Sequence, residues 1–400
     1  MNITIRIQLS VMMFLQFFIW GTWNVTLGTY LGQIGFGGSD IGSIYSTGSL
    51  GAIIAPLFVG IIADRFFPAQ YVLAFLHLVG AGLLYWVSTI TEPNVFYWAL
   101  LLYSLFYMPT LAIANTVAFY QMKDSGKEFP GIRVLGTFGW IAAGLVVGFM
   151  AIEKTSTPLV IGAAASLVAG VYCLFLPNTP PQAKGEKVNI GNLLGLDALG
   201  LMKDRNFAVL VISSLLISIP LSFYYAWANP YFNESGMANP AATMTLGQVS
   251  EIGFMLLMPF FFSRLGVKKM ILIGMIAWIA RYVLFAYGNN DALVYMFYTG
   301  ILLHGICYDF FFVTGQIYVD KEAPENLRAS AQGLIALVTY GIGMYIGNII
   351  AGKVVENYEI MGASGSITGH HWYEIWMIPA GLAVACFLIF LVFFRDKELT

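Results

Sequence analysis

Charged side chains are scarce. Asp, Glu, Lys and Arg make up 10% of the 400 residues, whereas a soluble chain carries about 25% to keep its surface in water. Most of this surface must therefore face something other than water. An excess of positive charge is also missing. Lys and Arg number 19 against 21 Asp and Glu, a formal −2, which excludes the clustered basic footprint of a nucleic-acid binder. Cysteine is rare: Cys173, Cys307 and Cys386 all fall in apolar stretches. They lack metal spacing and cannot complete a disulfide framework, so buried apolar thiols are expected. The four histidines form no His-Glu-x-x-His, and Gly-x-Ser-x-Gly and the phosphate-binding Gly-Lys-Ser/Thr are absent. Enzyme readings fail on that chemistry. His370 and His371 could bind a metal, but a polar loop pair with no third ligand is more often incidental. No cofactor or metal is called for.

What the chain does have is long apolar runs, with 58% hydrophobic residues overall. A bilayer-spanning helix needs about 20 mostly apolar residues. Such runs fall near 9–32, 42–62, 70–90, 95–120, 131–151 and 158–176 in the first half. The second half supplies 207–230, 243–263, 269–288, 293–318, 327–350 and 373–394. The first run, from near Ser10 past Leu31, is too long for the apolar part of a cleavable signal. Gly is abundant at 42 residues, as expected where helices pack closely inside a membrane.

Basic residues test the map independently. With a cytoplasmic N-terminus, 15 Lys and Arg fall in inside segments, and only Lys154 and Lys353 fall outside. That bias follows the positive-inside rule and predicts that both termini are cytoplasmic. A miscounted span would scramble the alternation. The longest hydrophilic stretch, 177–206, contains Pro177, Pro180, Pro181 and Lys184-Gly185-Glu186-Lys187. It predicts bundles over 1–176 and 207–400 joined by a cytoplasmic linker, as in transporters built from two parallel repeats.

An internal echo supports the repeat. Gly60-Ile61-Ile62-Ala63-Asp64-Arg65 follows span 2, and Ser263-Arg264-Leu265-Gly266-Val267-Lys268-Lys269 follows span 8. The pair resembles the loop motif of the major facilitator superfamily, although Phe66-Phe67-Pro68 stands where Gly and basic residues are usual. A closer likeness runs over most of the chain. It is carried by Phe14-Leu15-Gln16-Phe17, Trp20-Gly21-Thr22-Trp23, Tyr107-Met108-Pro109-Thr110-Leu111 and Arg133-Val134-Leu135-Gly136-Thr137. Further stretches are Gln248-Val249-Ser250-Glu251, Phe285-Ala286-Tyr287-Gly288, Asp309-Phe310-Phe311 and Arg328-Ala329-Ser330-Ala331-Gln332-Gly333. Together they resemble the bacterial nucleoside:proton symporter family.

An ionisable residue within a span is costly and is a functional candidate by default. Four stand out: Arg133, Glu251, Arg281 and Asp309. At about 1.5 Å per residue, Glu251 lies near the midplane, too deep to reach either surface. It is either a carboxylate that glues helices together or a proton or substrate site. Gln248 is one turn away and shares its face. Asp309 follows Tyr308 and precedes a run of Phe; a carboxylate so far from water calls for a proton or a cation. Arg133, at the start of span 5, could be that cation, or it could anchor the helix end at the cytoplasmic surface. Arg281 lies about seven residues from the outer end of span 9, a distance its stem can cover by snorkelling. Trp278 and Tyr282 flank it as interface residues would, so an outer-surface anchor is expected. Trp20, Trp23 and Asn24, and Tyr224, Tyr225 and Trp227 beyond Pro220, place rings beside polar groups at midspan, where a planar or sugar substrate could stack.

The resemblance implies more. Gln248 and Glu251 match the pair that contacts nucleoside hydroxyls, and Arg133 and Thr137 match binding positions. Trp140 stands where another aromatic is usual, and Ser222 and Tyr225 replace side-chain amides found in enterobacterial members. The expectation is an all-α membrane protein of twelve helices in two six-helix bundles, the major facilitator fold. It is a monomeric carrier in the bacterial inner membrane that imports nucleosides with protons by alternating access, and it has no nucleic-acid partner. Substrate contacts are expected from Arg133, Thr137, Trp140, Tyr225, Gln248, Glu251, Tyr308 and Asp309, and proton coupling from Glu251 and Asp309. Import of a sugar or another small polar solute is the alternative. A signalling protein without flux is weaker, since no soluble domain exists to read out a signal.

Overall fold

The computed structural model describes residues 2–55, 66–181 and 195–395. The Gly60-to-Arg65 motif, the Lys184-to-Lys187 segment and Lys397 lie outside the described residues, so the echo between spans 2 and 8 has only its second copy in view. Nearly all described residues are helical. They form two compact units: Met1–Phe36 with Thr47–Asn189, and Gly37–Ser46 with Ile190–Thr400.

The first unit holds α1 (Ile3–Trp23), α2 (Leu27–Gln33), the second half of α3 (Gly38–Ala55), α4 (Ala69–Val87), α5 (Pro93–Tyr120), α6 (Pro130–Phe149) and α7 (Thr157–Cys173). Local chemistry sets several starts. Asn2 accepts from the Thr4 N–H at 3.1 Å, and Glu92 accepts from the Val95 N–H at 2.9 Å with Pro93 following it. Each satisfies a backbone donor that the first helical turn leaves unpaired. α1 lies directly on α6. A Cβ on Gly139 would come within 2.2 Å of the Phe14 carbonyl oxygen, so only glycine permits this approach. Leu9, Met13, Leu73, Val117 and Ile132 form one continuous apolar cluster beside that seam.

The second unit holds α8 (Arg205–Glu234), α9 (Pro240–Tyr287), α10 (Val294–Leu302), α11 (His304–Tyr308), α12 (Thr314–Glu322), α13 (Arg328–Ala336), α14 (Met344–Asn357) and α15 (Trp372–Phe393). Two π-helical stretches, Asp309–Val313 and Leu337–Gly343, interrupt α11–α12 and α13–α14. Such bulges are rare and concentrate at functional sites. Gly266 in α9 has φ 69° and ψ 176°, so this long helix is two spans meeting at a left-handed glycine, where the sequence places a break between 263 and 269.

Among the described residues, nine helices are long and apolar enough to cross a membrane, counting α9 once. Dividing α9, and adding the shorter α7 and the start of α3, is consistent with twelve crossings. Two features depart from the expected plan. The loop before α15 carries a two-stranded antiparallel hairpin, β1 (Glu359–Met361) and β2 (Ile367–His370), within an otherwise helical fold. The expected linker includes a short 3-10 helix, Leu196–Lys203. The first residues of α3 group with the second unit because Gly38 and Gly42 lie on α14. The Gly38 N–H also donates to Glu359 Oε1 at 2.7 Å, and a Cβ on Gly42 would meet the Asn348 carbonyl oxygen at 2.4 Å.

Candidate functional site

In the first unit, Arg133, Thr137 and Trp140 share one face of α6 at i, i+4 and i+7. The Arg133 guanidinium lies 4.0 Å above the centre of the Phe17 ring, a cation–π contact. Trp140 meets Trp20 edge-on at 5.5 Å, and Trp20 in turn contacts Tyr107 at 6.0 Å. Behind these rings runs a buried polar chain. His77 Nε2 lies 3.0 Å from Gln16 Oε1, His77 Nδ1 lies 3.3 Å from Ser166 Oγ, and Gln16 Nε2 donates to Thr110 Oγ1 at 2.7 Å. All four side chains are buried and paired, which makes this network a rigid support.

In the second unit the expected residues gather around one carboxylate. Gln248 and Glu251 occupy one face of α9. Tyr225 from α8, with Tyr308 and Asp309 from the α11 region, lies within electrostatic reach of Glu251. The Tyr308 hydroxyl is 2.5 Å from the Tyr340 hydroxyl on the second π stretch. Asp309 opens the first π stretch and is fully buried, and neither carboxylate oxygen has a hydrogen-bond partner among the described residues. The Ser250 hydroxyl donates to the Leu302 carbonyl at 2.5 Å, which fixes the Gln248–Glu251 turn against the neighbouring helix. Ser222 does not present its hydroxyl to a ligand. It is fully buried, donates to the Ser218 carbonyl at 2.9 Å and packs on Met344.

Arg281 overturns the expectation of an outer-surface anchor. It has no exposed surface, and neither do Trp278 and Tyr282. Its guanidinium stacks 3.4 Å from the Tyr224 ring centre, and Nη1 lies 3.1 Å from His304 Nδ1. The Trp278 N–H donates to the Cys307 carbonyl at 3.2 Å, pinning this face of α9 to α11. The residue that sequence reasoning missed is His304. A signal existed: it is an intramembrane histidine one turn before Tyr308. His370, weighed earlier for metal, has its Nδ1 2.7 Å from Glu234 Oε2 instead. All three cysteines are buried, as their apolar surroundings suggest.

A chain with nine long apolar helices among the described residues, and buried polar side chains gathered near a carboxylate, is a multi-spanning membrane protein with an internal polar site. The model of the nucleoside H+ symporter family matches residues 1–399. The chain is similar to YegT of Escherichia coli strain K12, 44% identical over 98% of this chain and 94% of that protein. It is also similar to the nucleoside permease NupG of the same strain, 35% identical over 98% and 97%. The crystal structure of the nucleoside transporter NupG matches with a TM-score of 0.89 at 34% identity, covering 99% of this chain and 100% of that one. This chain belongs to the nucleoside H+ symporter family and has a major facilitator-like fold.

Proposed function

We infer that this protein imports nucleosides with protons across the bacterial inner membrane by alternating access, with both termini in the cytoplasm. Its two six-helix bundles, over 1–176 and 207–400, are the moving parts. The carrying observation is the Gln248–Glu251 pair on one turn of α9, with Tyr225, Tyr308 and Asp309 within electrostatic reach of Glu251, in a chain of this family. Gln248 offers a donor and Glu251 a strong acceptor, which suits the vicinal hydroxyls of ribose. Arg133, Thr137 and Trp140 supply further substrate contacts from α6, and Glu251 and Asp309 carry the proton. The fifteen-to-two bias of basic residues supports the orientation.

The base is held less selectively than the ribose. The Ser222 hydroxyl bonds its own helix, and Tyr225 offers a ring where the family resemblance implies an amide. A site without matched polar groups discriminates weakly, while an aromatic face stacks on any base. Purine and pyrimidine ribonucleosides should bind within about tenfold of one another, roughly 1.4 kcal/mol, and 2′,3′-dideoxynucleosides should bind poorly. Titrations of the purified protein with uridine, adenosine, inosine, dideoxyuridine and free sugars test this. Binding of a sugar but of no nucleoside would overturn the assignment.

A further inference from the structure

Arg281 is a permanent cation with no exposed surface; the Tyr224 hydroxyl and Cys307 thiol lie close to it, but its Nε and Nη2 atoms make no hydrogen bond of ordinary geometry among the described residues. An uncompensated buried charge is strongly unfavourable, so something nearby must answer it. The third nitrogen, Nη1, points at His304 Nδ1 across 3.1 Å. On the opposite edge of that imidazole, Nε2 lies 3.6 Å from Glu251 Oε2. Arg281, His304 and Glu251 therefore stand in line, from the second half of α9, through α11, to the first half of α9.

The chemistry of the line fixes its protons. A guanidinium has only donors, so His304 Nδ1 must accept and cannot carry a hydrogen. The ring is then the neutral tautomer with its hydrogen on Nε2, aimed at the Glu251 carboxylate. The side chain of His304 is 1% exposed and that of Glu251 19%, so Glu251 alone meets the accessible space. The ring is also clamped, stacking on Tyr224 at 5.5 Å and on Tyr308 at 6.0 Å. Tyr224 is the same ring that carries the Arg281 guanidinium on its face.

We propose that His304 is the positioning residue that couples the protonation of Glu251 to the buried Arg281, and so makes transport depend on the proton. With Glu251 ionised, the imidazole accepts from Arg281 at Nδ1 and turns its Nε2–H dipole toward the carboxylate across 3.6 Å, an electrostatic contact longer than a hydrogen bond. When Glu251 takes a proton, the Nε2–H loses its anion, and Arg281 loses the charge that answers it. The stack of Tyr224, His304 and Tyr308 then carries the change to α8 and to Tyr340. Other titratable groups near this line among the described residues include Tyr225 on α8, Tyr282 on α9, Cys307 and Asp309 beside the histidine, and Tyr340. His304 touches both Arg281 and Glu251. The proposal rests on the reading of this protein as a proton-coupled nucleoside carrier.

Three substitutions separate coupling from packing. The amide of His304→Gln can accept from Arg281 and donate to Glu251. The shorter His304→Asn keeps the acceptor for Arg281 but falls short of Glu251, and His304→Leu keeps neither. In proteoliposomes, counterflow measures substrate exchange without net proton movement, while accumulation under a proton gradient measures coupling. One coupled proton at 100 mV is worth about 2.3 kcal/mol, or about 40-fold accumulation. The Asn protein should exchange nucleoside like the wild type yet accumulate it close to one-fold. The Gln protein should recover most of the accumulation and the wild-type pH profile, and the Leu protein should lose both. Accumulation by the Asn protein equal to wild type, or a Gln protein as uncoupled as Asn, would overturn the proposal while leaving the carrier reading intact. Absence of nucleoside counterflow in the wild type would overturn both.

Discussion

Gly305→Ala is a one-methyl perturbation of the candidate site. Gly305 lies on α11 where it crosses α9. A Cβ there would stand 2.6 Å from the carbonyl carbon and oxygen of Ser250 and 2.7 Å from its Oγ. The carbonyl carbon and oxygen are backbone atoms of a helix and cannot rotate away, so the two helices must part by nearly 1 Å to reach ordinary contact. Overpacking of this kind costs about 1–3 kcal/mol. The Ser250-to-Leu302 hydrogen bond, 2.5 Å in the native protein, is lost or stretched in addition, worth about 1 kcal/mol. Because Ser250 sits between Gln248 and Glu251, the displacement moves both proposed substrate-binding side chains. Nucleoside affinity should fall about tenfold or more, at about 1.4 kcal/mol per decade, with a melting temperature several degrees lower. A thiol-reactive dye reads the melting directly, since Cys173, Cys307 and Cys386 are all buried until the protein opens. Gly253→Ala is the matched control, on the same helix with nothing within 4 Å of its Cβ. Wild-type melting and affinity in Gly305→Ala, or an equal loss in Gly253→Ala, would refute the close-approach reasoning.

Glu251→Gln should weaken nucleoside binding, because the neutral amide is a poorer acceptor for the ribose hydroxyls, and should abolish accumulation driven by a proton gradient; normal gradient-driven accumulation would remove Glu251 from the coupling. His77→Ala strips the partner from Gln16 Oε1 in the first unit, while the Ser166 hydroxyl keeps its bond to the carbonyl of residue 77, at about 1–3 kcal/mol for the buried group left unpaired. It should lower thermal stability while leaving the ranking of nucleoside affinities unchanged, and a wild-type melting curve would show that the network is not structural support.

Sequence by itself determined that this chain is a helical, multi-spanning membrane protein. Runs of apolar residues are a one-dimensional signal, because a bilayer has a fixed thickness. The same holds for Gln248 with Glu251, and for Arg133, Thr137 and Trp140, since residues one or two turns apart on a helix share a face wherever the helix goes. Even the break at Gly266 was legible as a basic loop between two apolar runs. Tertiary structure alone decided which way each helix faces. A soluble helix declares its buried side by its polar stripe, but a membrane helix is apolar all round, so its rotation is not written in its pattern. Arg281 shows the consequence. Seven residues from a helix end, it could have reached outward to the surface, yet it points inward onto Tyr224 and His304. Tyr224, Arg281 and His304 come from three separate helical segments, and their union depends on rotations fixed only when the helices pack.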